Sequence, residues 1–558
     1  MADADADAGL PDGYWTYRRT PAHTEFRRAR DLLWELREDQ DAALAAFAWP
    51  RSRSFNWALE WFDVIARGQH RAALSFPEAD GRCRDVSFHE LSAASDRVAN
   101  WLRGLGVRRG ERVLVALGPQ RELWEVLLGC LKAGVVVVPA YTSLTPAEAA
   151  DRVTRGGIRH VICRDDLAGL FGHDRDGLRI AVPGNLAGWH SYGDAAGAGE
   201  HFLPDGDTAA DAVAFCYFTS GTTSAPKLVA HTHSSYPVGH LSSMFWNGLL
   251  AGDRHLNVSA PGWAKHSWSS LFVPWNAEAT IVVPPSDTDF SDLPRLAAGH
   301  AVTSMCAPAS TWRAVRPYLD TAVPRLREAT TAGEPLSAHL ATAVERAWGV
   351  RLREGYGQTE ATAMIGTGPA LPGRPGRLGK VLPGYRLTLR DPDGRPSPGS
   401  GEICVELGDD PPAGMMSGYL DATGRLTPPG PDFYRTGDLG TIDGDGYLTV
   451  VGRVDDVFKS FDHRISPYEL EAVLERHPAV AEAAVVPVPH PVGGAVPQAV
   501  VVLSGHAGES EDIPGDLLRH CAASVPAEKM PRSVAVVPRL PRTHSGKIRR
   551  AALAEMVR

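Results

Sequence analysis

Apolar positions in this chain recur with two periods, one helical and one typical of buried strands. Ser87-Phe-His-Glu90 predicts a capping box, after which apolar residues follow at helical spacing until Gly106 ends the run. Short, continuous apolar runs alternate with such helical patterns, which predicts a parallel or mixed sheet covered by helices. The predicted strands include 112–117, 135–139, 160–163, 279–284 and 303–307, and the predicted helices include 24–46, 122–132, 239–250, 293–300 and 336–348.

The texture of the sequence changes twice after that alternation. Gly and Pro become dense from Gly373, the predicted strands are short, and a β-rich subdomain over 373–452 is expected. Helical and strand patterns alternate again after Asp455, which predicts a second domain. We therefore expect a partly disordered N-terminal extension (1–50), a large domain (51–454) and a small C-terminal domain (455–558).

One loop stands out because it concentrates hydroxyls and a cation. The apolar run 212–218 predicts a buried strand, and Thr219-Ser-Gly-Thr-Thr-Ser-Ala-Pro-Lys227 follows it. Backbone amides and hydroxyls on such a loop can face a polyanion. It lacks the Walker A spacing, and a plain Ser/Thr-rich surface turn fits the same residues equally well.

Composition narrows the class of protein. The 558 residues are 44% hydrophobic and 22% charged, with a net charge of −9, which is typical of a globular protein of about two to four domains. The acidic balance argues against nucleic acid or an anionic membrane surface as the main partner. No apolar run reaches the length of a membrane span, and the acidic first residues do not resemble a signal peptide.

The seven cysteines are scattered and form no metal-ligand spacing. Most of them lie in apolar segments, so buried, reduced thiols in a cytoplasmic protein are expected.

Five further polar or glycine-rich stretches follow the loop in a fixed order. Each alone is typical of an ordinary turn, and only their joint order is specific. They are Thr331-Ala-Gly-Glu-Pro335, Gly355-Tyr-Gly-Gln-Thr-Glu360, Tyr434-Arg-Thr-Gly-Asp438, Gly452-Arg-Val-Asp-Asp456 with Lys459 to Ile465, and Pro541-Arg-Thr-His-Ser-Gly-Lys547.

This ordered set resembles the adenylate-forming superfamily, which includes acyl-CoA synthetases, peptide-synthetase adenylation domains and luciferases. The resemblance covers about residues 55 to 558, and the segment 262–275 looks most like medium-chain acyl-CoA synthetases. It implies an α/β fold with a large N-terminal domain of mixed sheets and a small, mobile α+β C-terminal domain. It also implies a ligase that joins ATP and a carboxylic acid into acyl-AMP and then exchanges AMP for CoA, with Mg²⁺ as cofactor.

The resemblance assigns a role to each matching residue. The loop would cradle the β- and γ-phosphates, Thr359 would contact the α-phosphate, and Glu360 would hold Mg²⁺. Asp438 would bind the ribose hydroxyls with help from Arg453, Asp455 matches the hinge, and Arg464 would contact phosphate in one conformation. The loop residues are Thr219, Ser220, Gly221, Thr222, Thr223 and Lys227, and the adenine-lining residues are Gly333, Glu334, Pro335, Tyr356 and Gly357.

Lys547 matches the lysine that enters the site for adenylation. Attack of a carboxylate on the α-phosphate brings two anions together, and a point cation between them screens their repulsion, alongside Mg²⁺. The position follows a glycine near the end of the chain and precedes Ile-Arg-Arg550. Without the other motifs, a surface lysine would be the simpler interpretation.

The acid-binding residues are less specific. Trp263 matches a gating aromatic, and Lys265, His266 and Trp268 are expected to line the same region. Core packing is an equally good interpretation for Trp268. Two indoles near the pocket favour a bulky or ring-bearing acid, and a medium linear chain fits as well.

Two residues depart from the family pattern and leave alternatives open. Ser224 replaces a glycine in the phosphate loop, which would weaken pyrophosphate binding if that position needs positive φ. Asp462 lies in the segment expected to meet CoA, where its carboxylate would repel CoA phosphates or simply hydrogen-bond in place. The rivals to the ligase are an enzyme that stops at acyl-AMP or passes it to a carrier protein, and a catalytically silent binding protein.

Overall fold

The computed structural model describes residues 9–172, 176–219, 226–374, 376–421, 423–461, 463–504, 512–542 and 548–557. Its α-helices are α1 (Pro21–Glu35), α2 (Gln40–Ala46), α3 (Asp63–Ala66), α4 (Phe88–Gly104), α5 (Arg121–Lys132), α6 (Pro146–Arg155), α7 (Ser235–Asn247), α8 (Ala264–Ser267), α9 (Val273–Asn276), α10 (Leu293–Gly299), α11 (Ala309–Val315), α12 (Ala338–Trp348), α13 (Pro467–Leu474), α14 (Ile513–Ala522) and α15 (Arg550–Met556).

Shorter helical turns connect several of these elements. The π-helical turns are Ala58–Phe62 and Trp268–Phe272. The 3₁₀ turns are Tyr14–Tyr17, Asp165–Leu170, Tyr192–Gly197, Phe290–Asp292 and Arg316–Tyr318.

The strands fall into three groups along the chain. The first group is β1 (Ala72–Pro77), β2 (Cys83–Ser87), β3 (Arg112–Ala116), β4 (Val136–Pro139), β5 (His160–Arg164), β6 (Arg179–Val182), β7 (His190–Ser191), β8 (Val213–Thr219) and β9 (Lys227–Thr232). The second group is β10 (Arg254–Asn257), β11 (Thr280–Val282), β12 (Ser304–Cys306), β13 (Glu328–Ala332), β14 (Leu352–Gln358), β15 (Ala361–Gly366), β16 (Lys380–Val381), β17 (Leu387–Arg390) and β18 (Ser400–Glu406). The third group is β19 (Gly418–Leu420), β20 (Leu426–Thr427), β21 (Phe433–Ile442), β22 (Leu448–Arg453), β23 (Phe458–Ser460), β24 (His463–Ile465), β25 (Val480–His490), β26 (Gly494–Leu503) and β27 (Ser533–Val536).

Two nine-stranded sheets form the body of the large domain. The first has the order β20-β19-β9-β8-β4-β3-β5-β6-β7 and the second has the order β16-β15-β14-β13-β12-β10-β11-β1-β2. Their central strands are parallel and buried, and the strands at one edge of each sheet are antiparallel. This is the mixed α/β arrangement that the alternating pattern predicts, because parallel strands need helical crossovers.

The local helix signals are confirmed where they were strongest. Both predicted capping boxes are present, with Ser87 and Glu90 at the start of α4 and Thr145 and Glu148 at the start of α6. The predicted helix 24–46 is two helices, because α1 ends at Glu35 and Asp39 caps α2 anew. The stretch 355–360, interpreted as a turn, contains the end of β14, since its glycines face Trp246 and the backbone of β15.

The β-rich subdomain contains a four-stranded antiparallel sheet of order β17-β18-β21-β22. Strands β16, β19 and β20 of the same part of the chain join the two large sheets instead. The C-terminal part forms a separate sheet, β24-β23-β26-β25 with β27 beside β26, and α13 and α14 pack against it. The domain limits themselves stay predictions.

Residues 9–50 pack against the large domain, whereas the expected disorder of the first residues concerns 1–8, which lie outside the described residues. Arg18 is fully buried and donates to Asp63 at 2.9 Å. Lys132, also fully buried, lies 2.7 Å from Asp63 and 2.6 Å from Asp96. Removing one member would leave a buried charge uncompensated, so this cluster fixes the extension in place.

The core lies between the two large sheets and is rich in indoles. Trp57, Trp61 and Trp275 are fully buried there. Their ring nitrogens are hydrogen-bonded, for example Trp57 to Asn276 at 2.8 Å and Trp61 to the carbonyl of Trp275 at 2.9 Å. Among the described residues, no helix combines the length and the apolarity that a membrane crossing requires.

Candidate active site

A hydrogen-bonded cluster forms where β14 meets β21. The phenol of Tyr356 donates to Asp438 at 2.5 Å, and the amide of Gln358 donates to the same carboxylate oxygen at 2.7 Å. Arg453 reaches the other oxygen at 3.2 Å from the neighbouring strand β22. Burial, with Asp438 beside it, raises the pKa of Tyr356 well above its ordinary value. The cluster therefore presents a fixed, partly buried carboxylate.

Thr359 is oriented through its backbone by a buried histidine on β9. His231 is fully buried, and its Nε2 lies 2.6 Å from the carbonyl of Thr359. A carbonyl can only accept, so Nε2 carries the proton and Nδ1 accepts from Ser235 at 3.0 Å. Burial lowers the pKa of His231 to about 4, so its ring is neutral at pH 7.

Tyr419 on β19 connects Glu360 with Lys227. Its hydroxyl donates to Glu360 Oε1 at 3.0 Å, and the ammonium of Lys227 lies 4.6 Å from its ring centroid. Lys227 pairs with Thr219 across the antiparallel strands β8 and β9. Ser220, Gly221, Thr222, Thr223 and Ser224 lie between these two residues and outside the described part of the chain.

The segment Gly333 to Pro335 follows β13 and is fixed by its carboxylate. Glu334 accepts from the backbone of Ser310 at 2.8 Å and from Arg313 at 3.3 Å. Gly333 has φ of 95°, which favours glycine. Lys265 of α8 donates to the carbonyl of Ala332 at 3.3 Å, and burial lowers its pKa.

Three aromatic rings form an apolar wall beside β14. Trp268 stacks on His240 with ring centroids 5.9 Å apart and meets Trp246 at 6.1 Å. A Cβ built on Gly355 would lie 2.4 Å from the Trp246 ring, so the indole fills the space beside that glycine. We call Trp246, Trp268 and His240 the aromatic wall; Nε1 of Trp246 and Nε2 of His240 are buried there without a hydrogen-bond partner.

The four predicted acid-pocket residues do not form one surface. Trp268 belongs to the aromatic wall, and Lys265 contacts the segment before Gly333. His266 packs against Trp124 with centroids 5.8 Å apart, and Trp263 is half-buried at the start of α8. Burial lowers the pKa of His266 to about 3.

Tyr419, His231, His240 and Trp246 are site residues that the sequence analysis missed. Lys547 and Asp462 lie outside the described residues, as does the side chain of Arg464, although its backbone pairs with Lys459 in β23–β24. Asp455 is exposed and 4.0 Å from Arg453. The roles of these residues stay predictions.

Comparison with known proteins matches this chain to two parts of one family. Residues 61–420 match the AMP-binding enzyme family and residues 469–547 match the AMP-binding enzyme C-terminal domain. The chain therefore belongs to the AMP-binding enzyme family, within the adenylate-forming superfamily.

Relatives along most of the chain are CoA ligases. The chain is 36% identical to 4-hydroxybutyrate–CoA ligase 1 of Metallosphaera sedula, over 90% of both proteins. It is 31% identical to the mitochondrial acyl-coenzyme A synthetase ACSM3 of Rattus norvegicus, over 89% of this chain and 90% of the relative.

Solved structures of CoA ligases share the fold. The anthranilate CoA ligase AuaEII with anthranoyl-AMP aligns with a TM-score of 0.80 at 26% identity, over 91% of this chain and 98% of that one. A benzoate CoA ligase from Burkholderia xenovorans LB400 aligns with a TM-score of 0.76 at 25% identity, over 90% of this chain and 100% of that one. This chain is an AMP-forming acid–CoA ligase that uses ATP, a carboxylic acid and CoA.

Proposed function

We propose that the enzyme activates a hydrophobic carboxylic acid, either medium-chain or bulky and ring-bearing. ATP and the acid give acyl-AMP and pyrophosphate, and CoA then displaces AMP to give acyl-CoA. The aromatic wall is the observation that carries the acid class, because Trp246, Trp268 and His240 place apolar ring surface directly beside β14. Ring-bearing acids in the printed names of two similar structures, anthranilate and benzoate, support the same class.

The nucleotide side is proposed to work by preorganised hydrogen bonding. Asp438 is held by Tyr356, Gln358 and Arg453 and offers its carboxylate to the ribose hydroxyls. Adenine would lie along Gly333–Pro335 and beside Tyr356 and Gly357. Groups that are fixed before the substrate binds need little reorganisation during the reaction.

Phosphate binding is assigned to both ends of the loop that follows β8. Thr219 and Lys227 are paired across β8 and β9, so the intervening residues are anchored at both sides. Lys227 would neutralise phosphate charge, and Thr359 would contact the α-phosphate from a backbone that His231 fixes.

Glu360 is proposed to hold Mg²⁺. Its carboxylate accepts from Tyr419 at 3.0 Å, which orients it and leaves lone pairs for an ion. No group of three metal-ligating side chains occurs among the described residues, which suits Mg²⁺ because it commonly binds one carboxylate plus phosphate oxygens and water. When bound, the ion would neutralise charge on the phosphates.

Lys547 is proposed to bridge the attacking carboxylate and the α-phosphate during adenylation. Its effect would be electrostatic, since attack must occur in line and phosphoryl chemistry depends mainly on positioning and charge. Arg464 would contact phosphate in one of two orientations of the C-terminal domain about Asp455. A cytoplasmic location is also proposed, supported by seven cysteines that form no disulfide.

Two assays test the proposal on the full chain. Pyrophosphate exchange, run with a panel of linear, branched and aromatic acids, reports adenylation, and thioester formation reports the transfer to CoA. We expect both reactions with an apolar or aromatic acid. Exchange without thioester on CoA, but with transfer to a carrier protein, would replace the ligase with an adenylating enzyme. Activity restricted to short polar acids would contradict the acid class.

Lys547→Ala tests the lysine. We expect exchange to fall by about 10²–10³-fold, the typical loss when one electrostatic stabiliser is removed. ATP binding and thioester formation from preformed acyl-AMP should survive. Lys380→Ala is the control, because Lys380 pairs with the exposed Asp41 at 2.9 Å on the surface. An unchanged adenylation rate would refute the assigned role.

A further inference from the structure

Arg313 of α11 lies between the two domains and contacts a carboxylate from each. Its Nη2 is 3.3 Å from Glu334, in the segment proposed to line adenine. Its Nε is 3.6 Å from Glu482 of β25, in the C-terminal sheet. The arginine side chain is 26% exposed, and the exposures of Glu334 and Glu482 are 9% and 25%, so the contacts are partly shielded from water.

Glu482 extends the connection to the C-terminal arm of the chain. Its other oxygen accepts from Arg542 at 2.9 Å. Arg542 pairs with Ile548 in an isolated antiparallel bridge, so the residues on both sides of 543–547 are held together. The order Glu334, Arg313, Glu482, Arg542 therefore alternates in charge from the adenine segment to the base of the arm. We call these four residues the interdomain bridge.

The rest of the surrounding charge favours this position for Arg313. Glu475 on the segment after α13 is close enough for the guanidinium to lower its pKa, although burial, the larger influence, raises that pKa to about 7. Glu471 and Glu482 act on Glu475 in the same direction as burial. The C-terminal domain thus turns an acidic face toward an arginine of the large domain.

We infer that Arg313 is a positioning residue that holds the C-terminal domain in the orientation used for adenylation. The inference rests on the proposed function, because two half-reactions that need different domain orientations are required for the bridge to favour one of them. In this orientation Arg542, at the start of the arm, is linked through Glu482 and Arg313 to the adenine segment. For transfer to CoA the domain would have to rotate, and the contact between Arg313 and Glu482 would break.

Glu334 keeps a second anchor that separates nucleotide binding from domain orientation. Both the backbone and the hydroxyl of Ser310 donate to it, at 2.8 and 3.1 Å. Neutralising Glu482 leaves these contacts and the contact between Arg313 and Glu334 unchanged. A change at Glu482 should therefore alter the rate of adenylation without altering the affinity for ATP.

Glu482→Gln in the full-length enzyme is the first test. We expect pyrophosphate exchange at saturating ATP to fall about two- to fivefold, the size of a partly exposed ion pair. The KM for ATP and the rate of thioester formation from preformed acyl-AMP should stay unchanged. Glu528→Gln is the matched control, since it removes an exposed carboxylate from the same domain.

Arg313→Gln and the double variant show whether the two residues act together. Arg313→Gln should slow exchange by at least as much, and adding Glu482→Gln should cost little more, because the contact is already lost. Arg316→Gln is the control for the arginine; it is exposed on the following turn and contacts His339. Additive losses, equal losses in both half-reactions, or a rise in the KM for ATP alone with Glu482→Gln would overturn the inference.

Failure of the proposed function gives a different result. If the wild-type chain exchanges no pyrophosphate with any acid, the proposed function fails before the bridge is tested. If the wild type is active and Glu482→Gln matches it in both half-reactions, the proposed function stands and the bridge has no positioning role.

Discussion

The nucleotide side and the acid side of this site are built differently. Around Asp438 each carboxylate oxygen is paired, and three donors from three segments fix it. In the aromatic wall, Trp246 and His240 each keep a buried ring nitrogen without a partner. Hydrogen bonds specify one geometry, whereas ring surfaces accept many apolar shapes. The difference indicates a strict nucleotide site beside a tolerant acid site.

Asp438→Asn should break the strict side and produce the largest effect among these variants. The amide keeps the shape and loses the charge that faces Arg453, so the ribose loses a charge-assisted acceptor. We expect the KM for ATP to rise about 10- to 100-fold, with the acid preference unchanged. Initial rates at varied ATP measure this. Asp445→Asn, an exposed aspartate of the same subdomain, should match the wild type.

Trp268→Ala should change the tolerant side alone. Removing the indole opens space between His240 and Trp246. We expect the ratio of kcat/KM between a larger and a smaller acid to shift about tenfold toward the larger one, as a pocket change of this size allows. Trp268→Phe should shift it less. A rise in the KM for ATP would contradict the separation of the two sides.

Tyr419→Phe tests the connection between Glu360 and Lys227. The variant loses the hydroxyl that donates to Glu360 and keeps the ring beneath Lys227. Affinity for ATP with Mg²⁺, measured by calorimetry, should fall about two- to tenfold, the usual range for one hydrogen bond. Tyr419→Leu removes both contacts and should lose more. Equal affinities for both variants would show that the ring alone matters.

His240→Asn should have the smallest effect, on stability rather than activity. Burial lowers the pKa of His240 well below its ordinary value. The unfolded chain therefore gains a proton below about pH 6.5 that the folded chain does not, and stability falls as pH falls. The variant should flatten that fall by about 1 kcal/mol per pH unit, measured by denaturant unfolding at pH 5.5 and 7.5. An unchanged slope would contradict a neutral His240.

Sequence reasoning succeeded where the cause is local or where residues match a motif. The capping boxes at Ser87 and Thr145 need only neighbouring residues, and both are present. Tyr356 and Asp438, recognised from separate motifs, meet although 82 positions separate them. Their roles remain untested.

The missed residues have no local signal. His231 lies in an apolar strand, and its partner, Thr359, is 128 positions away. Tyr419 becomes meaningful only when β19 pairs with β9 and carries its ring to Lys227. Arg313 likewise depends on how two domains meet. Contacts of this kind follow from sheet order and domain placement, which periodicity does not encode.

The indole of Trp246 occupies the space beside two glycines at once. Added Cβ atoms at Gly355 and Gly366 would lie 2.4 and 2.6 Å from that ring. A variant library that randomises position 246 alone would leave a void behind the strand that carries Tyr356, and one that randomises either glycine alone would create a clash. Attempts to reshape the acid pocket at this depth therefore need paired substitutions, and selection for a new acid there should also be screened for loss of ATP affinity.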